Sequence, residues 1–481
     1  MELADIIKQR KAKLKSFKDK GIELYAHKFV RSNSVSELIA DFKEEQRVCV
    51  AGRMTAKRTH GKACFCDLKD QSAKIQIYVR NDIIGEENFS LFQELDIGDF
   101  IGVSGTLFKT HTGEITIKVE SFTLLSKSLR PMPEKWHGLK DIQLRYRQRY
   151  LDLIANEDVK KVFLMRSKIV SCIRSFLDKK GFIEVETPMM HYIPGGAAGK
   201  PFETHHNELD MDLYLRIAPE LYLKRLLVGG FEKVYEINRS FRNEGTSTRH
   251  NPEFTMLEIY SAYDNYEDMM QLCQELIASC AQEVLGRTRI TFSGKDIELV
   301  SQWQKRSFAE AVKDKFGIVP EDDVKTMIKK LNEKGRGIKE EKLSRMQIVR
   351  IIEEFLQEGQ SELPVFFTDY FSILCPLAKN KKDNPLLSER FELFIGGMEV
   401  ANAYSELNDP VEQKNRFLEE IKEEKDKKAL DEDYINALEY GMPPAGGLGI
   451  GIDRLAMIFL DQPSIRDVIL FPLLRPEKTD E

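Results

Sequence analysis

The feature that most restricts the fold lies between residues 46 and 126, where short strand-like runs follow one another with one helical run after the third. The runs are VCVAGRMTAKRT, CFCDLKD and KIQIYVR, then helical ENFSLFQEL, then FIGVSGTLFKT and ITIKVESFTLLS. In KIQIYVR, strict alternation sends Ile75, Ile77 and Val79 one way and Gln76, Tyr78 and Arg80 the other. Thr112-Gly113 is the hairpin turn between the last two strands. A half-buried sheet of this kind must close on itself or be covered.

Five strands with a helix after the third is the order of an OB-fold barrel, a recurrent oligonucleotide binder. In the second strand Cys64 and Cys66 share one face and Phe65 takes the other. If the small thiols are core, Phe65 is exposed where a base could stack on it. Cross-strand packing is the plain alternative for such an aromatic.

Before this region, residues 1–45 read as a helical, basic extension. Lys8, Arg10, Lys11, Lys13, Lys15, Lys18 and Lys20 face a single acid, Asp19, while Leu3, Ile7, Leu14 and Phe17 recur near helical spacing and Gly21 can end the helix. The run is either a solvated face or a phosphate-contacting arm. After it, residues 127–144, with LRPMPEKWHGLKD, suit an interdomain linker. From 145 to 481, helical periodicities alternate with strands as in an α+β domain, and dense charge over about 305–358 reads as a helical insertion.

A chain of 481 residues agrees with two or three domains. The net charge of −6 argues against a protein coated in positive charge, although RNA binding needs only a local basic surface. No apolar run approaches the roughly 18 residues of a membrane span, and the amino terminus lacks the apolar stretch of a secretory signal. Seven scattered cysteines indicate neither zinc nor a disulfide framework, so a reducing cytoplasm is the expected home.

No G-x-x-x-x-G-K-[ST] loop and no G-x-G-x-x-G after a strand is present, so phosphates must be handled by side chains and metal. Three segments suggest how: KKGFIEVETPMM (179–190), FRNEGTSTRHNPEFTMLEIY (241–260) and GLGIGIDRLAMIFL (447–460). Singly they read as a helix-to-strand corner, a cross-strand ion pair and glycines for close packing. In this order they resemble the three signature motifs of class II aminoacyl-tRNA synthetases. The flanking RYRQRYLDLI, MMHYIPGGAAGKPFETHHNELDMDLYLRIAPELYLKRL and GGMEVANAYSELND narrow the resemblance to the bacterial lysyl-tRNA synthetases, over nearly the whole chain. The signatures of the other synthetase class are absent.

The resemblance implies an α+β catalytic domain built on an antiparallel sheet, an OB-fold that reads the anticodon, and a homodimer joined through the segment around Pro188. ATP, L-lysine and tRNA(Lys) are the implied partners, with Mg²⁺ as cofactor and no membrane. Arg242 and Arg454 are the implied catalytic cations: Arg242 bridges the substrate carboxylate and the α-phosphate, and Arg454 clamps the nucleotide from its far side. Glu244 would hold the adenine amino group, Phe254 would stack on the base, and His250 would lie near the outer phosphates, with Gly451 also at the ATP site. Glu392 and Glu399 correspond to the magnesium ligands. For lysine, Gly196 and Glu220 take the α-amino group, Arg242 and Asn402 the carboxylate, and Glu406 with Tyr260 the ε-ammonium; Glu258 and Tyr404 complete the pocket. Phe65, Gln76 and Glu114 would meet anticodon bases. Aspartyl and asparaginyl synthetases are the alternative within the family, and a non-catalytic RNA-binding paralogue the alternative outside it. The first would place a cation at Glu406; the second would have lost the charged site residues, which are intact.

Part of this stands on residue spacing alone. In EFTMLEIY, Phe254, Met256, Glu258 and Tyr260 share a strand face, as do Asn402, Tyr404 and Glu406 in MEVANAYSEL. Glu399 is out of phase with the latter, so a bulge near Gly396-Gly397 is expected if all four line one site. An ammonium in a closed pocket also needs an uncompensated acid.

Overall fold

The computed structural model describes residues 2–133, 139–197, 199–300, 303–339, 343–357, 363–423 and 429–476. Of the expected linker, 134–138 lie outside the described residues, as do 340–342 and 358 of the expected insertion. The chain divides into two units, residues 1–140 and 141–481.

In the first unit, β1 (Arg47–His60), β2 (Ala63–Lys69), β3 (Lys74–Arg80), β4 (Phe100–Lys109) and β5 (Ile115–Ser126) close into a barrel of order β1-β2-β3-β5-β4. Alternation builds it: Val48, Val50, Cys64, Cys66, Ile75, Ile77 and Val79 all point into one buried core. The helical run between β3 and β4 is two helices, Asn81–Ile84 and Glu86–Glu94, separated by Gly85. The amino-terminal helix Leu3–Asp19 drives Phe17 into the barrel core. Its basic residues divide between two roles. Arg10 donates to the carbonyls of Ile97 and Arg130 at 3.0 and 2.8 Å, and Lys13 pairs with Asp96 at 2.6 Å. Lys8, Lys11, Lys15 and Lys18 are exposed.

In the second unit the described residues contain an eight-stranded sheet. Its strands are β6 (Ile183–Glu184), β7 (Lys233–Phe241), β8 (Glu253–Ala262), β9 (Gln304–Ser307), β10 (Val365–Thr368), β11 (Arg390–Ile395), β12 (Met398–Ser405) and β13 (Ala445–Gly451). The order is β9-β10-β11-β12-β13-β8-β7-β6, antiparallel except at the two edge pairs. One face carries Leu257, Ile259, Ala401, Ala403, Leu448 and Ile450 against the helices Glu157–Lys179, Tyr266–Leu285 and Ile452–Phe459. Cutting a core leucine such as Leu276 to alanine there costs about 2–5 kcal/mol. With that face sealed, the opposite face is free to hold a site. Helices Phe308–Phe316, Val324–Glu333 and Arg345–Gln357 form their own apolar cluster with Val365 and Phe367 of β10.

The bulge is present but displaced from where spacing put it. Leu393 pairs with Ala401 and Phe394 with Glu399, which leaves Val400 as the extra residue. Gly396 and Gly397, at φ +61° and +69°, are spent on the two-residue hairpin turn instead.

Candidate functional site

A cavity of about 370 Å³ opens on the uncovered face of the sheet. The alternating residues Met256, Glu258 and Tyr260 of β8 face it, as do Asn402 and Tyr404 of β12 and the following Glu406. Gly196, Glu220, Arg242, Glu392 and Glu399 complete the wall, so every residue expected to hold the amino acid or the metal lines one space. Glu399 joins Asn402 on this face because Val400 and Ala401 both turn to the core.

At one end the pocket is closed and acidic. Glu220, Glu258 and Glu406 are 5%, 7% and 0% exposed. Tyr404 donates to Glu220 Oε1 at 2.5 Å and Tyr260 to Glu258 Oε2 at 2.8 Å. Burial, reinforced by Glu220, pushes Glu258 up to about 8. Glu406 is not the free counter-charge that sequence reasoning asks for. The Lys224 ammonium lies between it and Glu220, 2.6 Å from Glu220 Oε1 and ion-paired with Glu406. Two carboxylates share that one ammonium. Glycine at 447 is a steric requirement, since a Cβ there would stand 1.8 Å from Glu406 Oε1.

The other end is more open. Asp453, at the start of the helix Ile452–Phe459, accepts Arg166 Nη2 at 2.6 Å and the Thr255 N–H at 2.8 Å. Those bonds fix the helix start, and Arg454 donates to the Glu399 carbonyl and carboxylate at 2.8 and 3.0 Å. His250 lies 3.3 Å from Arg454 Nη2, and burial together with Arg454 lowers its pKa. Arg242 sits 5.2 Å over the Phe254 ring, and its buried Nε has no hydrogen-bond partner, a donor that an anionic ligand would satisfy. Glu244, His250, Phe254, Gly451 and Arg454 do not line the closed cavity; Glu244 and His250 are on the exposed loop between β7 and β8.

Sequence reasoning missed two basic residues. Lys224 follows Glu220 by one helical turn on Glu220–Val228, an i,i+4 spacing that was visible. Arg390, two residues before Glu392, donates to Asn402 Oδ1 at 3.1 Å and ion-pairs with Glu392, while Tyr370 donates to the same carboxylate at 2.7 Å. Arg390 thereby ties Asn402 to Glu392. Burial, with the charges of Glu399 and Glu353, pushes Glu392 up despite Arg390.

On the barrel, Phe65 is half-buried and stacks on Tyr78 with ring centroids 4.5 Å apart. Gln76 faces outward by alternation yet is buried. It donates to Glu114 Oε2 at 3.0 Å and accepts from Thr116 Oγ1 at 3.1 Å, so neighbouring side chains cover it.

Residues 141–475 match the family model described as tRNA synthetases class II (D, K and N), and residues 48–125 match the OB-fold nucleic acid binding domain. The chain is 55% identical to the lysine–tRNA ligase of Carboxydothermus hydrogenoformans over 99% of each chain. It is 54% identical to that of Pelotomaculum thermopropionicum, covering 99% of this chain and 96% of the relative. The Staphylococcus aureus lysine–tRNA ligase is 49% identical over 98% and 99%.

Proposed function

Because the chain belongs to the class II tRNA synthetases, among the lysine–tRNA ligases, we infer that its pocket is where L-lysine and ATP are joined. The enzyme is a ligase: it activates lysine to lysyl-adenylate with release of pyrophosphate, then passes lysine to the 3′ end of tRNA(Lys). The observation that carries the site assignment is the set of buried carboxylates at 220, 258 and 406 around one cavity. Lys224 does place a cation beside Glu406, as an aspartate reader would require, but two carboxylates already neutralise it.

In the first step a lysine carboxylate oxygen forms a bond to the α-phosphorus as the bond to pyrophosphate breaks. Two anions must meet, so positioning and positive charge matter more than proton transfer. Arg242 holds the carboxylate and α-phosphate together, with Asn402 on the carboxylate. Arg454 serves the nucleotide with Glu244, His250, Phe254 and Gly451. Gly196 and Glu220 take the α-amino group; Tyr260 and Glu406 take the ε-ammonium, with Glu258 and Tyr404 enclosing them. Glu392 and Glu399, on paired strands and facing the same cavity, suit Mg²⁺, which is commonly held by one or two carboxylates together with phosphates. Such an ion supplies charge neutralisation at the phosphates.

Phe65, Gln76 and Glu114 are proposed to meet the anticodon, and a cytoplasmic location is proposed with them; among the described residues no helix is long and apolar enough to cross a membrane. A homodimer is proposed through the segment around Pro188, where Met189, Met190 and Tyr192 are 45%, 52% and 66% exposed; sedimentation as a monomer would overturn it. ATP–pyrophosphate exchange measured with each amino acid tests the activity: lysine should support it, with Mg²⁺ required, and equal exchange with aspartate would refute the assignment.

A further inference from the structure

The acidic end of the pocket contains an ammonium that belongs to the protein. Lys224 is fully enclosed, and its Nζ joins one oxygen of Glu220 to one oxygen of Glu406. These are the carboxylates assigned above to the α-amino and ε-amino groups of the substrate. Tyr404 donates to the Glu220 oxygen that Lys224 also holds. Glu406 Oε1, by contrast, is buried with no hydrogen-bond partner among the described residues, and it packs against Gly447, where a Cβ would collide with it. A buried acceptor left in that condition is costly unless a ligand completes it.

We propose that Lys224 is a positioning residue for amino-acid recognition: it holds Glu220 and Glu406 in register, so that the unpaired Glu406 oxygen is presented to the ε-ammonium of lysine. The proposal rests on the reading of this cavity as the lysine site. Two carboxylates sharing one ammonium keep one net negative charge for a cationic ligand. Without Lys224, Glu406 would face Glu220 and Glu258 in a buried site with that cation removed, and like charges there favour its protonated form. Burial and the charges of Glu220 and Glu258 raise Glu406, and Lys224 opposes them. Glu220 comes from the same helix as Lys224, Glu258 and Tyr260 from β8, Tyr404 from β12, and Tyr434 from the helix Glu432–Glu439. Burial raises Tyr260, Tyr404 and Tyr434, which leaves them as neutral donors, so Lys224 is the cation within this group.

The test is steady-state pyrophosphate exchange with Lys224→Met, Lys224→Arg and Glu406→Gln between pH 6.5 and 8.5. Lys224→Met should raise KM for lysine at least roughly tenfold at neutral pH, the loss of one charge-assisted contact, with KM for ATP unchanged. The ratio of variant to parent lysine KM should shrink as pH rises, because the variant's Glu406 carboxylate recovers its charge; Glu258, which holds its proton up to about pH 8, is common to both enzymes and cancels in that ratio. A merely structural lysine would move both KM values and kcat together, with no pH trend. If Lys224→Met does not fold, Lys224→Arg carries the same test: its bulkier cation should raise lysine KM alone, and an unaltered value overturns the proposal. Glu406→Gln separates the two failures. Normal lysine KM in that variant refutes the pocket assignment, whereas a raised value there beside a normal one in the Lys224 variants refutes only the role of Lys224.

Discussion

The two sides of the proposed catalytic site, one assigned to lysine and the other to the nucleotide, solve the problem of charge in opposite ways. At the lysine end, Lys224 and Glu406 pair with both side chains at 0% exposure. At the nucleotide end, Arg454 and Glu399 pair at 23% and 36% exposure, and Glu244 and His250 lie on an exposed loop. A buried pair loses heavily when one partner is removed, whereas a partly solvated one is cheap to exchange for a ligand. The amino-acid end is therefore built before the substrate arrives. The nucleotide end keeps its cations in contacts that ATP can displace.

That contrast can be broken by substitution. The largest effect should come from Arg454→Ala, which should lower lysine-dependent exchange roughly 10²- to 10³-fold, as for loss of one preorganised electrostatic contact. Thermal melting should be nearly unchanged; a large fall in melting temperature would make Arg454 structural and erase the contrast. Next, Glu406→Gln should raise KM for lysine roughly 10- to 100-fold, the worth of a hydrogen bond to a charged group. ATP should bind as before, and parallel losses for both substrates would show that the two ends are not separable. Smaller on average is Phe65→Ala, in the other unit. Charging of tRNA should drop roughly 5- to 100-fold, given about 1–3 kcal/mol for a stacked base, while exchange is preserved. Normal charging would leave Phe65 as packing for Tyr78.

The smallest effect sharpens the account of the closed end. Glu258 holds its proton up to about pH 8 in the folded chain, against an ordinary value of 4.5. Between those values the unfolded chain has lost a proton that the folded one keeps, so this group's contribution to stability falls as pH rises through the window. Urea unfolding of the ligand-free enzyme across that range should show the decline, and Glu258→Gln should flatten it. An equal slope in both would place the proton elsewhere.

Much of this was legible because strands repeat every two residues. Alternation alone put Glu258 with Tyr260, and Asn402 with Tyr404 and Glu406, on one face, and it sent Ile75, Ile77 and Val79 inward in the barrel. Outward phase did not mean exposure, however, since Gln76 is covered by Thr116 of the paired strand and by Glu114 just before it. The partnership of Lys224 with Glu406 was hidden for another reason. The helix spacing was enough to pair Lys224 with Glu220 and was overlooked, but Glu406 arrives from the end of a distant strand that only the sheet order brings close. The need for a bulge could be counted from phase, whereas its position depended on which residues the hairpin consumed.

The extra residue at Val400 works as a change of gear along β12. On one side of it the alternating side chains reach the cavity through Glu399, proposed for the metal; on the other they reach it through Asn402 and Tyr404, proposed for lysine. Were Val400 drawn into regular pairing, alternation would resume through it, and the strand could then serve only one of its two ends. Glu399 would turn toward Leu448 and the apolar helices, or Asn402 and Tyr404 would do so in its place. Deletion of Val400, by contrast, sets Glu399 and Asn402 two residues apart and keeps both on one face, so the proposed metal and lysine sites are coupled through the register of one strand as well as by contact.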